Sequence, residues 1–114
     1  MAAISVVTLE HMLKEREEGS RDFVLVDVRE PVEYEINQVP GSVLIPKGDF
    51  LNGSALEQLP PVDTGKQVVM YCKTGVRSAE TLAIVKGAGY ADAVHVGGGV
   101  VAWVNQIDPS QPAY

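Results

Sequence analysis

Cysteine is scarce in this 114-residue sequence, where Cys72 stands alone. A lone cysteine excludes an internal disulfide, and with no CxxC pair or Cys/His cluster there is no zinc site of the usual spacing. Nor is there a second thiol to resolve an adduct on Cys72, so any sulfur or oxidising equivalent it accepts must be removed by another molecule. Basic charge is also in short supply: nine Lys and Arg against fifteen Asp and Glu give a net charge of −6, which argues against general nucleic-acid binding. The longest apolar runs are far too short to span a bilayer, and the opening MAAISVVTLEHML lacks a charged-then-apolar signal pattern. Membrane association is therefore not expected, and a reactive thiol without an export signal points to the cytoplasm. No GxGxxG, GKS or GKT occurs, so Gly97 to Gly99 resemble a nucleotide loop only superficially. Repeats, low-complexity stretches and internal linkers are absent as well, and residues 1–114 read as one domain.

What is present suits an ordinary globular core, with 46% hydrophobic residues offset by 21% charged ones. Ile4 to Val7 predict a short strand, and Thr8 is a suitable N-cap for a helix carrying Leu9, Met12 and Leu13, stopped near Gly19. FVLVDV (23–28) reads as a buried strand, and Pro31 opens a helical turn through Glu33 to Ile36. SVLI (42–45) reads as a second buried strand, and 47–59 as partly helical despite Gly48 and Gly53. PPVDTGK is a loop, and Gln67 to Cys72 a third strand. A helix with Ala79, Leu82, Ala83 and Lys86 on its pattern then ends at Gly87 and Gly89. DAVHV (92–96) is a further strand, GGGVVAWVNQ turns into a last helix that packs Trp103 inward, and IDPSQPAY is irregular. Strands alternating with helices predict an α/β fold, with a mainly parallel central sheet and helices on both faces.

Cys72 falls where a strand pattern gives way to the polar loop KTGVRS and then a helix. This places its sulfur at the carboxyl end of a strand and over a helix N-terminus, where free N–H groups and the dipole favour negative charge. With Lys73 and Arg77 beside it, a local positive spot on an acidic chain, the thiol is expected to ionise readily and act as a nucleophile. The amides of Lys73, Thr74, Gly75, Val76, Arg77 and Ser78 can ring an anion at the sulfur, with Gly75 allowing tight curvature and Ser78 suited to cap the helix. A buried structural cysteine is the alternative reading. Four residues separate Cys72 from Arg77, one fewer than in the phosphate cradles of cysteine phosphatases. A narrower ring fits a single extra sulfur, as in a persulfide, better than a tetrahedral oxyanion. Asp27 and Arg29 end a neighbouring strand and read as supporting residues in an ion pair that fixes loops, to Glu80 or Glu30. His11 and His95 have no sequence neighbour that would make a metal site or a catalytic pair, and read as structural. Tyr114 is either disordered or docked on a partner.

These residues resemble the rhodanese family of sulfurtransferases. The likeness rests on DVREPVEYEINQVPGSVLIP (27–46), YCKTGVRSAETL (71–82) and HVGGGVVAW (95–103), which together cover nearly the whole chain. Where the family usually reads GHIPGA, this chain has Asn37, Gln38, Val39, Pro40, Gly41 and Ser42. The family's histidine there is not the nucleophile, so its loss leaves the chemistry in place. CKTGVRSAE, GGGVVAWVNQIDP and the tyrosine at 114 further resemble the C-terminal rhodanese domain of MoeZ-type adenylyltransferase/sulfurtransferases. The resemblance implies a Cys72 persulfide loaded from thiosulfate or a persulfide donor protein, with no metal or organic cofactor. It also implies an adenylating domain elsewhere and a ubiquitin-like sulfur carrier as acceptor, in molybdenum cofactor or cysteine biosynthesis, with this chain an excised or stand-alone half. A stand-alone thiosulfate sulfurtransferase, a cysteine phosphatase or arsenate reductase on the same scaffold, and a non-catalytic docking module are the competing readings.

Overall fold

Short apolar runs alternating with helical spacings give a chain that returns to one sheet after each crossover. The computed structural model describes residues 2–112 and 114. In chain order the elements are β1 (Ala3–Ile4), α1 (Val6–Glu17), β2 (Phe23–Asp27), α2 (Pro31–Ile36), β3 (Val43–Leu44), α3 (Lys47–Leu51), α4 (Ala55–Gln58), a 3₁₀ turn (Val62–Thr64), β4 (Gln67–Tyr71), α5 (Val76–Gly87), β5 (Val94–Val96) and α6 (Gly99–Gln106). The strands form one sheet in the order β1-β5-β4-β2-β3, and every pairing is parallel. The expected α/β architecture holds.

Side chains alternate across a strand, so β4 supplies both faces of the sheet. Val68, Met70 and Cys72 join the core beneath α3, α4 and α5, with Phe50, Ala55, Leu82 and Val85. Val69 and Tyr71 join the opposite core beneath α1 and α6, with Leu9, Met12, Val100 and Trp103. Val68 to Tyr71 are all fully buried. At roughly 1.5–3 kcal/mol for each large apolar side chain removed from water, this central strand anchors the loop that follows it.

Several boundaries depart from expectation. The N-cap of α1 is Ser5, not Thr8: Ser5 Oγ accepts the Thr8 N–H at 3.1 Å, because β1 ends at Ile4 and the helix begins at once. The segment expected as a buried strand over 42–45 is the two-residue edge strand β3, with Val43 47% exposed, since it pairs with β2 on one side alone. Residues 47–59 make two short helices broken around Gly53, and the PPVDTGK loop holds the 3₁₀ turn. Ala113, within the stretch expected to be irregular, lies outside the described residues. Among the described residues, no helix is long and apolar enough to cross a membrane.

Candidate active site

β4 ends at Tyr71, so Cys72 is the first residue beyond the strand rather than its last. Four residues later α5 begins at Val76, with Gly75 as N-cap at φ +118°, a left-handed conformation that a side chain would resist. Ser78, expected to cap α5, lies inside its first turn instead. The N–H groups of Gly75 and Ser78 both donate to Cys72 Sγ, at 3.1 and 3.3 Å. Of the expected ring of amides, these two reach the sulfur. Cys72 is 1% exposed, a buried thiol at the floor of its loop. Thr74 and Val76 face outward.

Two backbone carbonyls of this loop are held by α6. The Cys72 and Lys73 carbonyls accept the N–H groups of Val100 and Val101, at 2.9 and 3.1 Å, which are first-turn donors with no partner inside their own helix. Gly99, at φ +57°, makes the approach possible: a Cβ there would collide with both carbonyl oxygens.

His95, read from sequence as structural and without a partner for a catalytic pair, meets the Cys72 loop. Parallel pairing sets Met70 opposite His95, and His95 Nδ1 lies 2.9 Å from Ser78 Oγ. That hydroxyl is in turn 3.5 Å from Cys72 Sγ. Burial pushes the imidazole below its ordinary pKa, so it stays neutral at physiological pH. The contact depends on strand register, which no local sequence pattern reveals.

Arg77, expected to face an anionic donor, is engaged in a two-pronged pair with Glu33 of α2 at 2.6 and 2.9 Å. The hydrogen bond from Arg77 holds the Glu33 carboxyl down at about 2 against the opposing effect of burial, helped by the Glu30 N–H of its capping box. The same bond raises Arg77. Lys73 extends over the outer rim, its Nζ 4.2 Å from the centre of the Tyr114 ring.

Asp27 and Arg29 pair with each other in full burial, and not with Glu80 or Glu30. Asp27 accepts the Arg29 backbone N–H, Nε and Nη2 at 2.8–3.1 Å. Burial alone would lower Arg29, but the hydrogen bond and charge of Asp27 outweigh it and raise it. The rest of the guanidinium donates to Asn37, to Oδ1 at 2.9 Å and to the carbonyl at 2.7 Å. Glu80 instead meets Lys47 at the surface, at 3.0 Å, a contact worth about 1 kcal/mol or less. A cleft of about 430 Å³ lies away from Cys72, lined by Leu13, Lys14, Arg16, Pro40, Gly41 and Trp103. Hydrogen-bond geometry rather than concavity therefore marks the chemical centre.

The fold and this cysteine loop define a recognised class of domain. The rhodanese-like domain family matches residues 8–106, and the chain belongs to it. Over 97 residues it is 50% identical to the adenylyltransferase/sulfurtransferase MoeZ of Mycobacterium tuberculosis, a match covering 85% of this chain and 24% of that protein. The chain thus spans about a quarter of the length of that relative. It is 33% identical over 90 residues to the thiosulfate:glutathione sulfurtransferase of Saccharomyces cerevisiae, covering 72% of this chain and 65% of the yeast protein. Among solved structures, a rhodanese-like domain protein from Staphylococcus aureus superposes with a TM-score of 0.75 at 30% identity, covering 90% of this chain and 91% of the other.

Proposed function

We propose that this rhodanese-family sulfurtransferase carries sulfane sulfur as a persulfide on Cys72, residues 1–114 acting as one catalytic domain. The observation that carries the reading is the convergence of the Gly75 and Ser78 N–H groups on Sγ. Hydrogen bonds from backbone donors to a charged acceptor are the stronger kind, and here they are held in place before any reactant arrives. The Cys72 thiolate attacks the outer sulfur of thiosulfate, the S–S bond breaks, and sulfite leaves with the electron pair. With a persulfide donor protein, a thiolate leaves instead. The terminal sulfur then lies among the amides of Lys73, Thr74, Gly75, Val76, Arg77 and Ser78, Lys73 supplies positive charge to an anionic donor, and Arg77, paired with Glu33, holds the loop against α2. Asp27 and Arg29 support the end of the adjacent strand.

Cyanide attacking the terminal sulfur gives thiocyanate and regenerates the thiolate. The cellular acceptor we propose is the adenylated C-terminus of a ubiquitin-like sulfur carrier, activated by an adenylating domain, in molybdenum cofactor or cysteine biosynthesis. The persulfide displaces AMP to give an acyl disulfide; a low-molecular-mass thiol attacks the Cys72 sulfur, the thiocarboxylate leaves as the S–S bond breaks, and a second thiol reduces the mixed disulfide to return the Cys72 thiolate. The 50% identity to MoeZ supports this assignment. Val76, in the Cys72 loop, is 70% exposed and offers an apolar contact for such a carrier. A slim, extended carrier tail suits a sulfur as covered as Cys72. The reducing cytoplasm is the compartment that keeps such a thiol free.

The test is mass spectrometry after incubation with thiosulfate, together with a thiocyanate assay. The wild-type chain gains one sulfur atom and turns over, and Cys72→Ser does neither. Turnover surviving in Cys72→Ser refutes the mechanism. Cys72-dependent hydrolysis of a generic aryl phosphate would favour the phosphatase reading instead.

A further inference from the structure

We propose that residues 108–112 form a strap that carries Tyr114 as a positioning residue for Lys73, holding its ammonium at the rim of the Cys72 loop and so setting the affinity for a small, doubly anionic sulfur donor. This rests on the sulfur-transfer reading of Cys72. Chain segments beyond a last helix are poorly ordered unless tied down, and this one is tied at several points. The Ile107 and Asp108 N–H groups both donate to the Trp103 carbonyl, at 2.8 and 2.9 Å. The Asp108 carboxylate then accepts Ser110 Oγ and Gln111 Nε2, which hold it below the ordinary carboxylate range. Gln111 bridges both backbone groups of Gln38: its Oε1 accepts the Gln38 N–H at 2.8 Å, and its Nε2 donates to the Gln38 carbonyl at 2.7 Å. Asn37 Nδ2 donates to the Pro112 carbonyl at 2.9 Å.

The root of the strap is rigid because Asn37 is also held by Arg29, itself locked to Asp27. Asp27 lies directly opposite Tyr71 in the sheet, one residue before Cys72. The strap and the catalytic loop therefore start from the same rigid point, and the strap ends with the Tyr114 ring over Lys73 Nζ, 4.2 Å away. A free lysine on its flexible stem must be ordered whenever it meets an anion. A lysine already seated on an aromatic face has met that cost before the donor arrives. The ring face makes the contact, so phenylalanine can replace tyrosine and an aliphatic side chain cannot.

Steady-state kinetics on the full chain with thiosulfate test this. Tyr114→Leu raises KM about two- to fivefold, the factor expected for losing an exposed cation–π contact, with kcat little changed, and Tyr114→Phe restores it. In a Lys73→Gln background, Tyr114→Leu adds nothing. A second readout needs no turnover: NMR of the Lys73 ε-methylene shows a ring-current shift in wild type and Tyr114→Phe that Tyr114→Leu abolishes. An unshifted wild-type resonance, an unchanged KM in Tyr114→Leu, or a full effect persisting without Lys73 overturns the strap while leaving the Cys72 chemistry standing. A normal ring-current shift in a chain that takes no sulfur from thiosulfate overturns the donor-binding role together with the sulfur-transfer reading.

Discussion

Substituting Asp27→Asn tests how the rim of the site is held. Asp27 and Arg29 are each 0% exposed, and the carboxylate accepts the Arg29 backbone N–H, Nε and Nη2. Asparagine keeps the shape but removes the charge, and it sets an NH₂ donor against donors of Arg29. Breaking a buried pair from one side leaves an uncompensated charge, at a cost of about 3–5 kcal/mol. Against a total stability of roughly 5–15 kcal/mol that is a large fraction. With a urea slope of about 1–3 kcal/mol/M for a small domain, the unfolding midpoint should fall by on the order of 2 M with the slope unchanged. Removing both charges in Asp27→Asn/Arg29→Met should cost less than Asp27→Asn alone. It should still not restore wild-type stability, because Asn37 loses both donors and a buried unpaired acceptor costs about 1–3 kcal/mol. A loss below about 1 kcal/mol in Asp27→Asn, or a double variant weaker than the single, would refute the view that this pair is a buried, charge-balanced hub.

Acid should weaken the domain through Glu33. Its carboxyl lies at about 2 in the folded chain against an ordinary 4.5, so the stabilisation is complete above 4.5 and is lost as pH falls from there towards 2. At about 1.4 kcal/mol per pH step the shift corresponds to at most about 3 kcal/mol. With Arg77 30% exposed, solvent screening brings the expected loss nearer 1–2 kcal/mol. Urea midpoints followed across this range should show that slope in wild type and a flatter one in Glu33→Gln, and equal slopes would reject the assignment. Gly99→Ala sets a Cβ against the Cys72 and Lys73 carbonyl oxygens at a backbone angle of φ +57°. It should cost about 2–3 kcal/mol in thermal or urea unfolding and slow persulfide formation as the loop shifts, whereas Gly48→Ala, with nothing within 4 Å of the new Cβ, should change neither.

What could be read from the sequence was whatever local pattern dictates. The strand, loop and helix around Cys72 follow from a β-branched run, a glycine and helical spacing; the strand, expected over 67–72, ends at Tyr71, and the helix, expected after the KTGVRS loop, already begins at Val76. The contacts that complete the site come from register and long-range docking. His95 meets Ser78 because β5 pairs with β4 at Met70. Glu33 meets Arg77 across 44 residues, and Asn37 meets Pro112 across 75. Glu30 and Glu33 did carry a visible signal, the spacing of a capping box beside Pro31, but it announces a helix start and not a partner for Arg77. That Asp27 and Arg29 take part in an ion pair was legible, but the partners were not: each meets the other in place of Glu80 or Glu30, and Asn37, the third member, reads as an ordinary loop residue after a short helix.

The loop gains its character as much from where its carbonyls go as from where its amides point. A tight turn brings C=O and N–H groups equally close to its centre, and an oxygen aimed at an anionic sulfur would cancel a donor aimed there. α6 resolves the conflict. Its first turn has N–H groups without partners of their own, and Val100 and Val101 spend them on the carbonyls of Cys72 and Lys73. That leaves Gly75 and Ser78 N–H to the sulfur with no competing acceptor from those two residues. Gly99 lets two helix N-termini, those of α5 and α6, approach the same residue from opposite sides of the sheet. One donates to the sulfur and the other binds the two carbonyl oxygens, so both sets of hydrogen bonds come from backbone N–H groups.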